Sequence, residues 1–182
     1  VYLKQLMKSL EEKNLERARK HIAQIETERA RGGFVFTGNI ALAVAQAMVA
    51  GYEGRNSDSD AHFENSKKIW KERGREWRSG VFIYSWESTL RLFQKDFARL
   101  KTSAINGLEL AERSNGKELF PFLYLPLAKA HLGLGEIEKA KLANRKALEL
   151  IEGKRTTESA VISTGIVEGL FEAYQIEAEI LV

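Results

Sequence analysis

The sequence predicts an all-α fold, an α-α superhelix of about four antiparallel helix pairs followed by a C-terminal helix. Three observations predict it. Apolar residues recur at helical spacing along most of the chain. The 182 residues contain only two prolines, which suits long helices. Similar helical segments return about every 40 residues, and a fixed period of this length is typical of stacked helical units.

The repeat is clearest in the second helix of each pair. The segment from Ile137 to Ile151 has one apolar stripe at helical spacing, and the segment from Phe97 to Leu110 repeats it one period earlier. A further copy begins at Leu15, and a weaker one fills residues 60–74. The expected second helices therefore cover residues 14–31, 58–74, 96–114 and 136–152.

Other helical segments lie between these copies and supply the first helix of each pair. They are expected at residues 2–12, 39–53, 77–94 and 119–134, with a last helix at about 156–181. An amphipathic pair cannot bury its apolar face alone, so neighbouring pairs must cover it. We expect residues 1–182 to form a single domain, and the helical pattern that begins directly after Val1 suggests a fragment of a longer protein.

The segment from Tyr124 to Leu150 resembles the tetratricopeptide repeat. The matching residues are Tyr124, Leu127, Ala128, His131, Gly135, Ala140 and Ala147. The segment departs from the family at Asn144, where a bulky apolar residue is preferred, and at Glu152, which replaces the closing proline. The period of about 40 residues exceeds the family's usual value of about 34. In this respect the chain is similar to the helical-repeat arms of large bacterial signalling ATPases and transcription regulators.

The resemblance implies a concave face built from the first helices of the pairs, which would bind a partner. On this alignment the partner-binding residues are Leu42, Val49, Tyr52, Phe82, Thr89, Phe93, Phe122, Leu125 and Lys129. Most are apolar, which favours an apolar peptide or helix as the partner. The alternative is that the alignment is shifted by one residue, so that several of these side chains belong to the core. Only Lys129 is basic, so the carboxylate clamp of some tetratricopeptide domains is not expected.

Basic residues are concentrated between positions 67 and 78. If this cluster binds an anion, the residues that contact it are expected to be Lys67, Lys68, Lys71 and Arg75. The alternative is a solvated helix end, because Glu72 and Glu76 are interleaved with the basic residues and cations favour a helix C-terminus. We favour the solvated helix end, and nucleic acid is not expected as a partner.

The sequence offers no pattern for catalysis, a metal or a cofactor. The chain has no cysteine, and its three histidines, at positions 21, 62 and 131, fall in different repeats without ligand spacing. It contains no phosphate-binding loop or nucleophile motif. The apolar stretch at 40–51 is too short to cross a membrane. These features, with a net charge of only +3, predict a cytoplasmic, non-catalytic protein without a cofactor.

Two functions follow as expectations. The first is a scaffold module that binds a protein or peptide through the concave face, with self-association of the domain as an open alternative. The second is the effector-sensing arm of a bacterial transcription regulator or of a cyclase-linked ATPase. The full-length gene would separate them, because the second requires a neighbouring ATPase or DNA-binding segment.

Overall fold

The computed structural model describes residues 2–32, 35–72, 77–114, 116, 120–155 and 163–180. These residues form nine helices and no strand, so the predicted all-α class is confirmed for them. In chain order the helices are α1 (Tyr2–Glu11), α2 (Leu15–Ala30), α3 (Val35–Tyr52), α4 (Asn56–Glu72), α5 (Trp77–Phe93), α6 (Phe97–Arg113), α7 (Pro121–Gly133), α8 (Ile137–Arg155) and α9 (Ser163–Ile180). Every predicted helix has a counterpart in this order.

One turn geometry occurs four times, between α1 and α2, α3 and α4, α5 and α6, and α7 and α8. Each turn contains a residue with positive φ, at positions 13, 54, 95 and 135, so the turns are almost evenly spaced along the chain. The amide of the next residue donates to the carbonyl five positions back at 2.7–2.9 Å. Glycine suits this left-handed backbone at 54 and 135, whereas lysine adopts it at 13 and 95.

Two of the second helices, α2 and α6, begin with the same side-chain cap. The Asn14 side chain accepts a hydrogen bond from the Arg17 amide, and that of Asp96 accepts one from the Arg99 amide. These caps satisfy amides that have no partner within the helix. One turn after the cap position, all four second helices place a side chain with no solvent exposure: Ala18, Ser59, Leu100 and Ala140. The helix pairs are therefore equivalent in their turns and in this buried contact.

Packing divides the chain into two compact units, residues 1–90 and 91–182. In the first unit α1 packs on α2 and α3, α2 on α3, and α3 on α4. Helix α3 is apolar almost all round, and its residues 42–45 and 47–51 are buried. A helix of this composition needs neighbours on every side. The expectation of a single domain stays a prediction.

In the second unit α6 packs on α7, α7 on α8, and α9 on both α7 and α8. Gly133 allows α7 to approach α6 closely, because a Cβ there would come within 2.4 Å of the Phe97 ring. The Asn144 side-chain amide donates to the Ala173 carbonyl at 3.0 Å, which ties α8 to α9. Among the described helices, none combines the length and apolar character needed to cross a membrane.

Candidate interaction surface

Large apolar side chains that remain exposed mark the candidate surface. Among the described side chains they are Phe93, Phe122, Leu134, Ile137, Leu142, Phe171 and Tyr174. All of them belong to the second unit. Leu142 is isolated, since its neighbours one turn away on the helix, at 138, 139, 145 and 146, are all charged and exposed. Isolated apolar side chains on a surface are common, so the aromatic residues are the informative ones.

Phe122 and Lys129 lie two turns apart on α7 and share one face of this helix. Phe122 is 50% exposed. The Lys129 ammonium lies 2.8 Å from the Glu172 carboxylate of α9, so its charge is compensated. The predicted inner face of α7 therefore presents an aromatic ring and, two turns further along, a lysine whose charge is neutralised by an ion pair.

Phe82 and Thr89 hold the equivalent places on α5 in the first unit. Phe82 precedes the positive-φ residue of its turn by the same number of positions as Phe122 does. The Phe82 ring packs edge to face on Trp86 with the ring centroids 5.9 Å apart, and both residues are partly exposed. The Thr89 hydroxyl donates to the Ser85 carbonyl at 3.1 Å. An aromatic residue thus recurs at this position of the repeat.

Three of the nine predicted partner-binding residues belong to the core instead. Leu42, Val49 and Leu125 are only 6%, 4% and 2% exposed. Leu42 and Val49 are buried because neighbouring helices cover most of the surface of α3, and Leu125 is buried by the packing of α7. The alignment of α3 is also wrong by one residue, because the interval between the turns at 54 and 95 is one position longer than the interval between those at 95 and 135. The positions of α3 equivalent to Phe82 and Thr89 are therefore 41 and 48, and Met48 is fully buried too.

The two remaining residues of the set lie near the ends of their helices. Tyr52 is partly buried, and burial raises the pKa of its hydroxyl, with a smaller contribution from the Glu11 charge. Phe93 is 53% exposed and belongs to the second unit. The structure thus leaves six residues of the set at least partly accessible but divides them between two units: Tyr52, Phe82, Thr89, Phe93, Phe122 and Lys129.

Lys67 of the basic cluster is engaged by acidic and aromatic neighbours. Its ammonium lies 2.9 Å from Glu64, 3.0 Å from Glu87 and 5.3 Å from the centre of the Tyr84 ring. Burial is the largest influence on its pKa and lowers it, but the two carboxylates together raise the pKa above its usual value. Lys67 of α4 is therefore held by two side chains of α5, Glu87 and Tyr84.

The other cations of the cluster are more exposed. Lys68 lies 3.9 Å from Glu72, and Lys71 is exposed. The Arg78 guanidinium lies 4.6 Å from the centre of the Trp77 ring. Arg75 lies outside the described residues. These contacts fit a solvated helix end, which is the interpretation that the sequence favours.

Glu136 forms a polar junction that the sequence did not reveal. Its carboxylate accepts hydrogen bonds from Lys101 at 2.9 Å and Lys139 at 3.2 Å, and it also contacts the His131 ring. These partners, Lys101 first, lower the pKa of Glu136 to about 2. The junction links α6, α7 and α8. The contact with Glu136 gives the His131 ring a polar partner in the structure. Within the described ranges, no group of three histidine or acidic side chains is close enough to bind a metal ion.

The residues that carry the tetratricopeptide resemblance occupy fitting places. Ala128, Ala140 and Ala147 have no solvent exposure, as small residues at helix contacts should, and Gly135 adopts φ 72° in its turn. Comparisons with protein-family models, curated proteins and solved structures find no match to this chain. The helix order and the packing of neighbouring helices show that the described residues form adjacent helix pairs, which is compatible with a helical repeat.

Proposed function

We propose that the chain is a non-catalytic, tetratricopeptide-like module that binds a protein partner through an apolar surface of its second unit, centred on Phe122. The observation that carries the proposal is the 50% exposure of this phenylalanine on the predicted inner face of α7. A rigid aromatic side chain supplies a large contact area at low entropic cost, and such residues often dominate binding energy.

The surroundings of Phe122 favour an apolar partner segment over a charged one. Lys129, the basic residue of this face, is already paired with Glu172. A partner's terminal carboxylate would have to compete with Glu172 for the same ammonium. An apolar helix or peptide can instead cover the ring and leave the ion pair at the rim, where such pairs cost little. The four equivalent turns support the repeat assignment.

The proposal is tested by photo-crosslinking in cells that produce the protein. Benzoylphenylalanine replaces Phe122 in one variant and Leu142 in a matched control, because Leu142 is also exposed but surrounded by charges. A partner should be captured at 122 and not at 142. Phe122→Ser should then weaken binding of that purified partner by roughly tenfold, measured by calorimetry. Equal capture at both positions, or unchanged affinity, would contradict the proposal.

The second candidate is the effector-sensing arm of a transcription regulator or cyclase-linked ATPase. The long spacing of the equivalent turns, at positions 13, 54, 95 and 135, supports it. An ATPase or DNA-binding segment encoded beside this region would favour this candidate, whereas a free-standing reading frame would exclude it. Self-association remains the alternative within the first proposal, and light scattering of the purified chain distinguishes it from binding to a different protein.

A further inference from the structure

A proline interrupts the backbone hydrogen bonding of α7 next to Phe122. The helix runs from Pro121 to Gly133 and continues through Pro126. Proline has no backbone N–H, so Pro126 cannot donate to the carbonyl four residues earlier, which is that of Phe122. In the regular helical pattern the amides of Leu125 and Leu127 pair with the carbonyls at positions 121 and 123. The Phe122 carbonyl therefore has no donor within its own helix.

This open carbonyl lies on the accessible side of α7. An α-helix directs each carbonyl along its axis toward the residue four positions later, so the Phe122 carbonyl points to Pro126. Phe122, Pro126 and Lys129 follow one another at helical spacing, and each is at least partly exposed. We call these three residues the α7 ridge. A ligand that covers the Phe122 ring therefore also covers a hydrogen-bond acceptor.

The α7 ridge supplies no donor of its own for this acceptor. The side chains of Phe122 and Pro126 have no polar atom, and the Lys129 ammonium lies 2.8 Å from the Glu172 carboxylate. In the unbound chain solvent can hydrogen-bond the carbonyl. A purely apolar ligand would displace that solvent and leave a covered acceptor unpaired, which costs free energy. The α7 ridge therefore favours a ligand that combines an apolar body with a donor.

The surroundings of the carbonyl narrow the choice of donor. A hydroxyl or amide side chain would bring acceptor atoms that this apolar ridge does not pair. A second cation would have to compete with Lys129 for the Glu172 carboxylate. The tryptophan side chain has one N–H donor, no acceptor and a large apolar body that can pack on an aromatic ring. It therefore matches the ridge best among the natural side chains.

We propose that the partner segment bound at Phe122 presents a tryptophan, whose ring packs on the Phe122 side chain and whose indole N–H donates to the Phe122 carbonyl. Pro126 is then a specificity-determining residue, because it keeps this acceptor open. The inference rests on the proposed function and narrows its partner class from apolar segments in general to those with an indole N–H.

The first test uses indole and 1-methylindole as probes, because they share the ring and only indole has the N–H. Each is titrated into the isotope-labelled whole chain, and its affinity is measured from the NMR shifts of amides around Phe122. We expect indole to bind at least about twofold more tightly. If the site only covered apolar surface, the extra methyl group would make 1-methylindole the tighter ligand, so the order of the two affinities is decisive.

Two replacements of Pro126 separate the open carbonyl from the shape of the helix. Pro126→Ala restores the N–H and should close the carbonyl, so that indole loses its advantage. Lactic acid at position 126 has the methyl group of alanine but an ester oxygen instead of the N–H, so the preference for indole should persist. Phe122→Ser should weaken binding of both probes. Pro126 is partly exposed and alanine favours a helix, so the fold should tolerate the change.

The partner captured at position 122 provides the second test. Replacement of its contacting tryptophan by phenylalanine should weaken binding to the wild-type chain by roughly threefold or more, measured by calorimetry. The same replacement should weaken binding to the Pro126→Ala variant by less than about twofold, because the acceptor is already closed there.

Four results would overturn the inference. The first is that neither probe binds near Phe122, and the second is that 1-methylindole binds the wild-type chain as tightly as indole. The third is the same preference in the alanine and lactic acid variants of position 126. The fourth is a captured partner with no tryptophan at the contact. If a partner is captured at 122 in any of these cases, the proposed function stands and only this inference fails. If no partner is captured there, the proposed function fails whatever the probes show.

Discussion

The two units of the chain use the same helix pair but differ in how they cover their apolar residues. In the first unit the apolar helix α3 is buried along residues 42–45 and 47–51, and no large apolar side chain described there is exposed. In the second unit the equivalent helix α7 leaves Phe122 half exposed, and α9 exposes two aromatic residues. Among the described residues, one repeat geometry therefore buries large apolar side chains more completely in the first unit than in the second.

The difference indicates where binding should be sought. Sequence hydropathy alone points to α3, the most apolar helix among those described, but its side chains are used for packing. The aromatic residues Phe122 of α7 and Phe171 and Tyr174 of α9 leave half or more of their surface exposed to solvent. The contrast between buried and exposed aromatic residues can be tested by substitutions, beginning with the one that should have the largest effect on stability.

The largest expected effect distinguishes a buried phenylalanine from an exposed one. Phe63 of α4 has no solvent exposure, so Phe63→Ala should lower the free energy of unfolding by about 3–5 kcal/mol. Phe122→Ala should lower it by no more than about 1.5 kcal/mol, since half of that side chain already contacts water. Urea denaturation measures both. Similar losses for the two variants would show that Phe122 is a core residue.

A smaller effect tests whether the same type of contact between paired helices occurs within each of the two units. Ala18 and Ala140 occupy the same position of the repeat and have no exposure. Tryptophan at either position should overpack the pair and cost roughly 1–3 kcal/mol or more in the free energy of unfolding. Leu142→Trp on the outer side of α8 is the control and should change stability by no more than about 0.5 kcal/mol. Unchanged stability of Ala140→Trp would contradict the repeat alignment.

The smallest expected effect concerns the polar junction at Glu136. Its pKa is lowered from 4.5 to about 2, so its carboxylate favours the folded state at any pH above 4.5. That contribution should decrease as the pH falls below 4.5 and be lost as the pH passes through about 2. The stability difference between wild type and Glu136→Gln, measured by urea denaturation, should follow this course. A difference that is already gone at pH 4.5 would contradict the assignment.

Most of the fold could be predicted from the sequence because its signals are local. Periodic apolar residues locate the helices, and Gly135 marks the turn between α7 and α8. At positions 13 and 95 the same turn position is occupied by lysine, a residue that does not by itself indicate a turn. Without these markers, one uniform spacing for all repeats is the simplest alignment, and it selects Leu42 and Val49 of α3 in place of positions 41 and 48.

The candidate surface was predicted less well because exposure depends on contacts between distant residues. Leu125 and Phe122 are both apolar residues of α7, and only the packing of neighbouring helices makes one buried and the other exposed. The sequence also does not show that Glu87 pairs with Lys67 or that Lys101 pairs with Glu136. A uniformly apolar helix such as α3 has no preferred face, so its accessible residues could not be selected by periodicity.

The contrast between the two units is tested most directly by hydroxyl-radical footprinting of the purified chain, read by mass spectrometry. We predict rapid labelling of Phe122, Phe171 and Tyr174 and slow labelling of the buried Phe63 and Trp70. Addition of the partner captured at position 122 should then protect Phe122 without changing Phe63. Equal labelling of Phe122 and Phe63 in the free protein would contradict the account, as would a partner that leaves every exposed aromatic residue unprotected.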